Sequence, residues 1–336
     1  MKFKLTYKKG AAIFLFLFFS LVVIFLWNEI KDSPGKKKAE SISALNDYAR
    51  IKETGVLKAA VSYSSSNYFV YRGRPMGFEY ELLQALSEDL GVNLEIFVSN
   101  HIDESIYGLK NNRFDIIAQN LTVTGNRKKE MDFTLPFVQT YQVLVQREKS
   151  NKTDSGTYVN SVLELANKKV YVQKNSAYHQ RLLHLSEEIG GNIEIISDSI
   201  YGVEELISRV ASGLIDYTIC DENIGKLNNF YYPNLDISLH ISLPQNIAWA
   251  VRKGAVKWKA FLDDWITEIR NTRKYHFIYY KYFESPRVAE RRNSDFNSIS
   301  GDRISKYDAM IKDLAQQYNW DWRLISAIIY HESRFN

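Results

Sequence analysis

The chain has 336 residues, 45% of them hydrophobic and 24% charged, with a formal net charge of +4. This is a globular composition, and no dense Lys/Arg stripe with interleaved aromatics marks a nucleic-acid partner. The single cysteine, Cys220, excludes an internal disulfide and every multi-cysteine metal site.

Residues 1–30 read as a membrane segment. Lys2, Lys4, Lys8 and Lys9 precede an apolar run from Ala11 to Trp27 that only Ser20 interrupts. Such a run sits at the short end of the roughly 17 to 25 residues that span a bilayer. Positive charge ahead of it holds the N-terminus in the cytoplasm and exports the chain beyond the run. Asn28-Glu29-Ile30-Lys31 stands where a small-residue cleavage site would be, which favours an uncleaved anchor over a removed signal peptide. Residues 31–54 form a charged tether.

A regular α/β pattern starts at residue 55. Strands are predicted over Val56–Tyr63, Val92–Val98 and Asp115–Ala118. Helices are predicted over Tyr80–Leu90, closed by Gly91, and over Ile106–Lys110. The pattern repeats further on, with strands Lys169–Gln173, Ile193–Ile196 and Ile215–Cys220 and helices Ala177–Ser186 and Val203–Ser212. Trp258–Ile269 is an amphipathic helix. Such βαβ repetition implies mostly parallel sheets flanked by helices. Tyr141–Arg147 and Gln245–Arg252 are extended, apolar-rich runs without glycine, suited to crossing between two lobes.

The stretch Gly108–Tyr141 resembles the polar amino-acid type of periplasmic solute-binding proteins. The matching elements are Arg113-Phe114-Asp115, Thr122, Thr124, Arg127 and Asp132-Phe133-Thr134, with Gly77-Phe78-Glu79 earlier. The resemblance implies a two-lobed α/β domain over 55–272, with lobe one at 55–143 and 247–272 and lobe two at 147–244. It also implies that Arg127 holds a ligand carboxylate, a task that suits a planar guanidinium fork. Thr122 would add a hydroxyl or backbone contact, Ser176 a backbone N–H at a helix start, Asp221 a partner for a ligand ammonium, and Tyr68 an apolar cover. Each has a plain alternative. Arg127 with Lys128 and Lys129 could be a solvated basic turn, Asp221 a helix N-cap, and Tyr68 a packed aromatic. Asn175 stands where the family usually has glycine, which puts the Ser176 contact in doubt.

A linker is expected over 273–303, polar and charged from Glu284 to Gly301. Next comes an amphipathic helix capped by Ser305, then a second from about Asp321. Leu324, Ile325, Ile328, Ile329 and Glu332 follow helical spacing, so Glu332 is expected on the apolar stripe. A carboxyl held there loses hydration and stays protonated, as a general acid needs. Ser305-Lys306-Tyr307-Asp308, Trp320-Asp321-Trp322-Arg323-Leu324 and Tyr330-His331-Glu332-Ser333-Arg334-Phe335 resemble the opening of a lytic murein transglycosylase domain. More narrowly, they resemble the membrane-bound lytic transglycosylase F family.

That resemblance implies Glu332 as the catalytic acid/base, Ser333 as a substrate-orienting residue, and peptidoglycan glycan strands as substrate. Ser333 could equally be a helix serine bonded one turn back. It further implies the start, at 304–336, of an α-helical lysozyme-like domain whose remainder is not in this sequence, so the chain by itself is expected to lack transglycosylase activity. The protein would face the periplasm from a membrane, the outer membrane by the same resemblance. The cleft ligand would be an amino acid or a muropeptide. The alternative is a non-enzymatic membrane-anchored binding or sensor protein. The six histidines show no paired metal spacing and no phosphate loop is present, so no cofactor is expected.

Overall fold

The computed structural model describes residues 46–149, 157–285, 287, 305 and 307–333. The expected membrane segment lies outside them, and among the described residues no helix is long and apolar enough to cross a membrane. The chain divides into two units, Met1–Gly55 and Val56–Asn336. The described part of the first is helix α1, Asp47–Thr54. It occupies the end of the expected tether because both its ends are capped. Asn46 accepts from the Ala49 N–H at 3.2 Å, and Gly55 turns left-handed at φ 68°.

The second unit runs β1 (Val56–Val61), β2 (Phe69–Tyr71), β3 (Arg74–Met76), α2 (Phe78–Leu90), β4 (Asn93–Val98), α3 (Ile102–Lys110), β5 (Ile116–Thr122), α4 (Gly125–Glu130), β6 (Met131–Phe133) and β7 (Val138–Thr140). It continues with β8 (Gln142–Arg147), β9 (Lys169–Gln173), α5 (Ala177–Glu188), β10 (Glu194–Asp198), α6 (Val203–Ala211), β11 (Tyr217–Asp221), α7 (Glu222–Asn229), β12 (Leu235–Asp236) and β13 (Gln245–Arg252). Helices α8 (Val256–Arg270), α9 (Arg273–Tyr279), α10 (Asp308–Gln317) and α11 (Trp322–Ser333) complete it.

Two large sheets result, in orders β4-β1-β5-β13-β6, with β7 also paired to β13, and β10-β9-β11-β8-β12; β2 and β3 form a separate two-stranded sheet. β1, β4 and β5 are parallel, as are β9, β10 and β11. The strands arriving from the opposite lobe are the antiparallel ones: β13 against β5, and β8 against β11. Both sheets are therefore more mixed than βαβ repetition alone suggests. Each lobe has its own apolar core, around Ile117, Phe114 and Ala250 in one and Val170, Leu182 and Ile219 in the other.

β5 extends four residues beyond the predicted Ala118. Its polar end is satisfied from both sides: Thr122 pairs with Ile247 of β13, and Gln119 Nε2 donates to the Ser99 carbonyl and the Ser105 hydroxyl at 2.9 and 3.1 Å. Residues 273–284, placed in a linker by sequence, are instead α9 and a π-helical turn, Tyr280–Glu284, packed on α2. Lys281 pairs with Glu81 at 2.5 Å, and the Gly77 N–H donates to the Tyr282 hydroxyl at 2.9 Å.

Ahead of α10 the Ser305 N–H and hydroxyl both donate to the Asp308 carboxylate, at 2.8 and 2.7 Å, while the N-cap position is Tyr307, with no side-chain capping bond, rather than the expected Ser305. The chain turns at Asn319 (φ 52°) into α11. On α11 the inward face is Trp322, Ile325, Ser326 and Ile329, whereas Leu324 is 57% exposed and Ile328 49%. The expected five-residue stripe is thus split. Leu324, Ile328 and Glu332, spaced by four, run along the outward face, because a two-helix hairpin covers only one side of each helix.

Candidate functional site

The carboxyl ends of β5 and β9 and the starts of α5 and α6 converge on one cleft, the usual place for ligands in open α/β sheets. It encloses a cavity of about 290 Å³ whose walls include Asn67, Asn120, Thr122, Arg127, Ser176 and Tyr178. A wider, open chamber lies on the other side of Arg127 and shares Thr122, Arg127, Lys174 and Ser176 with it.

Arg127 is placed by local rules. Thr124 caps α4 by accepting from the Arg127 N–H at 3.3 Å, which fixes the backbone one turn into the helix. One guanidinium nitrogen, Nη1, donates to the Thr122 carbonyl at 3.0 Å. No carboxylate stands within ion-pair reach of Arg127 among the described residues. Burial holds its pKa below the ordinary arginine value, partly offset by Tyr178, Asp221 and Asp103. A desolvated guanidinium with most of its N–H groups uncommitted, on a cavity wall, suits an anion.

Ser176 is the residue before α5. Its N–H donates to the Gln173 carbonyl at 3.2 Å, so that group is not offered to a ligand as expected. Its hydroxyl is buried with no partner among the described residues, and the residue lines the cavity that Arg127 also lines. Asn175 adopts φ 59°, the left-handed geometry that glycine takes easily and asparagine tolerates, and its side chain donates to Asp103 of the other lobe. Thr122 is 3% exposed and contributes its carbonyl to Arg127.

Asp221 ends β11 and is fully buried. It stands at the N-cap position of α7, yet its side chain makes no capping bond. One carboxylate oxygen, Oδ2, accepts from Asn120 Nδ2 at 2.7 Å and the Tyr178 hydroxyl at 3.1 Å; the other, Oδ1, is buried without a partner. Burial pushes its pKa up to about 7, against the lowering effect of Tyr178, Arg127 and Asn120. The same burial raises the Tyr178 hydroxyl and Cys220 thiol well above their ordinary values. Asp221 does not itself line the cavity; Asn120 and Tyr178 do.

Tyr68 is not among the lining residues either. Its ring packs edge-on against Tyr80 at 5.5 Å, and its backbone bridges Tyr63 and Ser64. Glu332 lies far from an enclosed setting: its side chain is 76% exposed, with His331 at 3.4 Å. The Ser333 hydroxyl donates to the Ile329 carbonyl at 2.9 Å, one turn back. Among the described residues no group of three or more His, Cys, Asp or Glu could hold a metal ion.

Side-chain contacts among the described residues close the two lobes on each other. They join Asn120 to Asp221, Asn175 to Asp103, Gln173 to the Asn100 carbonyl at 3.1 Å, and Ser65 to Glu204. Sequence reasoning missed Asn120, Tyr178, Ser65 and Glu204. The signal for Asn120 was present: Gln119-Asn120 are amides ending an apolar run, where a strand of this class presents its functional end.

A family model described as bacterial extracellular solute-binding proteins, family 3, matches residues 57–285. Proteins named membrane-bound lytic murein transglycosylase F are similar over most of the chain. The one from Desulfosudis oleivorans is 30% identical over 290 residues, 85% of this chain and 62% of that protein. The one from Pseudomonas fluorescens is 28% identical over 294 residues, 86% of this chain and 58% of that protein. The chain thus spans about three-fifths of the length of these curated relatives. Among solved structures, an amino acid ABC transporter substrate-binding protein from Streptococcus pneumoniae bound to L-arginine superposes with TM-score 0.60 at 24% identity, covering 71% of this chain and 98% of that one. A solute receptor for L-cysteine from Neisseria gonorrhoeae does so with TM-score 0.61 at 18% identity, covering 74% and 98%. At these identities the likeness shows the fold alone, two α/β lobes.

Proposed function

We propose, from the premise that this chain belongs to the bacterial extracellular solute-binding proteins, family 3, that its cleft grips a small carboxylate-bearing ligand. An amino acid or a muropeptide fragment has the required chemistry, and solved proteins of the same fold are bound to or named for amino acids. The observation that carries the reading is Arg127, which lines a 290 Å³ cavity and gives one hydrogen bond to the Thr122 carbonyl. A thermal-shift screen of amino acids and muropeptides tests it. At least one acid should raise the melting temperature, and a flat screen would reject ligand binding.

The wider role we propose is that of the ligand-responsive part of a membrane-bound murein lytic transglycosylase, held in the cell envelope through residues 11–27 and facing the periplasm. The similarity to proteins of that name over about 85% of the chain supports it. Glu332 would protonate the oxygen joining N-acetylmuramic acid to N-acetylglucosamine. It would then accept the proton of the sugar's own C6 hydroxyl as that oxygen closes the 1,6-anhydro ring, and Ser333 would orient the glycan. Digesting purified sacculi with the full natural gene product and its Glu332→Gln variant tests this. Anhydro-muropeptides from the first and none from the second are expected.

A second reading, a non-enzymatic envelope receptor, is favoured by one observation: the cleft is built entirely from residues before α8. Sacculi left intact by the natural gene product would select it.

A further inference from the structure

The geometry points to Asn120 as the residue that sets ligand specificity in the cleft: it screens the Asp221 carboxylate from the cavity, so that the site selects an acid whose amine is acylated over a free amino acid. This rests on the proposed carboxylate-gripping role of the cleft and adds the chemistry of the ligand's other end.

A ligand ammonium entering a closed, partly dry cleft loses hydration and needs a counter-charge there. On the lobe-two wall the buried carboxylate is Asp221, fully enclosed. Its Oδ2 is already taken by the Asn120 amide at 2.7 Å and the Tyr178 hydroxyl at 3.1 Å, and the two donors, not Asp221, form the cavity surface. A carboxylate only accepts hydrogen bonds, so the Asn120 NH₂ faces Asp221. Among the described residues its amide oxygen has no hydrogen bond, and it is the group Asn120 can offer to the cavity.

Glu204 and Glu205 also line the cavity, at the start of α6; Glu204 accepts from the Ser65 hydroxyl and N–H at 2.7 and 3.2 Å, and Glu205 is exposed at the rim. Where Asn120 covers Asp221, the group that meets a ligand nitrogen is a neutral acceptor. An amide N–H satisfies it at a small desolvation cost, whereas an ammonium leaves a charge uncompensated. At the opposite end Arg127 remains for the acid. The wide chamber past Arg127 gives room for a ligand longer than a single residue.

The test compares matched probes, L-alanine, L-glutamate and L-arginine against their N-acetyl forms, by calorimetry on wild type, Asn120→Ala and Asn120→Ser. Ser keeps a small hydroxyl beside Asp221 in case Ala destabilises the lobe contact, and melting curves report folding of both. Wild type should bind an N-acetyl form at least tenfold tighter than its free amino acid. A folded Asn120 variant should shift that ratio at least tenfold toward the free amino acid, because the Asp221 carboxylate becomes reachable. A ratio unchanged by substitution, or a wild type that prefers free amino acids, overturns the role of Asn120 while leaving the cleft a ligand site. Binding of no probe by wild type or either variant fails the ligand reading itself, and this inference with it.

Discussion

Ser65 of the first lobe closes on Glu204 of the second through two hydrogen bonds, 2.7 Å from its hydroxyl and 3.2 Å from its backbone N–H. Glu204 is in the first turn of α6, where a carboxylate is also favoured by the helix dipole. The contact places two donors on a charged acceptor across the lobes. Removing the hydroxyl should cost about 1.5–3 kcal/mol, the usual value of a hydrogen bond to a charged group. Ser65→Ala is therefore expected to shift ligand-free protein toward an open form. Small-angle scattering should report a larger radius of gyration, restored by saturating ligand; an unchanged radius would show that Ser65 does not hold the lobes.

Stability should depend on pH through two buried carboxyls. Asp221 and Glu79 both have pKa values raised to about 7 by burial; Glu79 accepts from the Trp249 indole at 2.5 Å. A carboxyl raised in the folded state favours folding fully below its unfolded pKa near 4 and loses that contribution as pH rises through about 7. Asp132 and Asp236 are lowered despite their burial, by bonds from Lys253 and Gly254 and from Tyr158 and Ser238. Their contribution is present above the unfolded value and disappears in stronger acid. Urea midpoints should accordingly fall from pH 5 to pH 8, and Asp221→Asn should flatten that slope. A wild-type slope of the opposite sign would contradict the assignment.

Gly77 lies at φ +140°, and a Cβ there would sit 2.0 Å from the Asn67 carbonyl oxygen. The approach is needed because the Phe78 and Tyr80 N–H groups donate to the Ser66 and Asn67 carbonyls, tying α2 to the loop that lines the cavity. Gly77→Ala should cost more than about 2 kcal/mol, combining a strained backbone with a backbone clash, and should weaken ligand binding as the loop shifts. Equal urea midpoints for wild type and variant would remove this constraint.

The sequence made much of the scaffold legible. Alternation and caps locate the strands and helices of both lobes, down to Gly91 at φ 66° closing α2. Arg127 was legible for a local reason, since Thr124 and Thr122 lie a few residues before it and position it. Residues whose partners are distant in the chain were not. Asn120 meets Asp221 from 101 residues away, and Ser65 meets Glu204 from 139; neither pair leaves a periodic trace. The predicted strand also stops at Ala118, short of Gln119 and Asn120, which β5 includes. The Glu332 stripe failed for a different reason: spacing tells which residues share a helical face, but what covers that face is decided by the neighbours, and here α11 turns Ile325 and Ile329 inward and Glu332 outward.

The most direct test of the cleft as a carboxylate-gripping site is calorimetric titration of wild type, Arg127→Lys and Arg127→Ala with the acid that gives the largest thermal shift. Loss of the guanidinium removes charge-assisted hydrogen bonds of about 1.5–3 kcal/mol, so Arg127→Ala should bind roughly 10- to 150-fold more weakly, with the lysine variant between. Equal affinity for all three proteins would contradict the account.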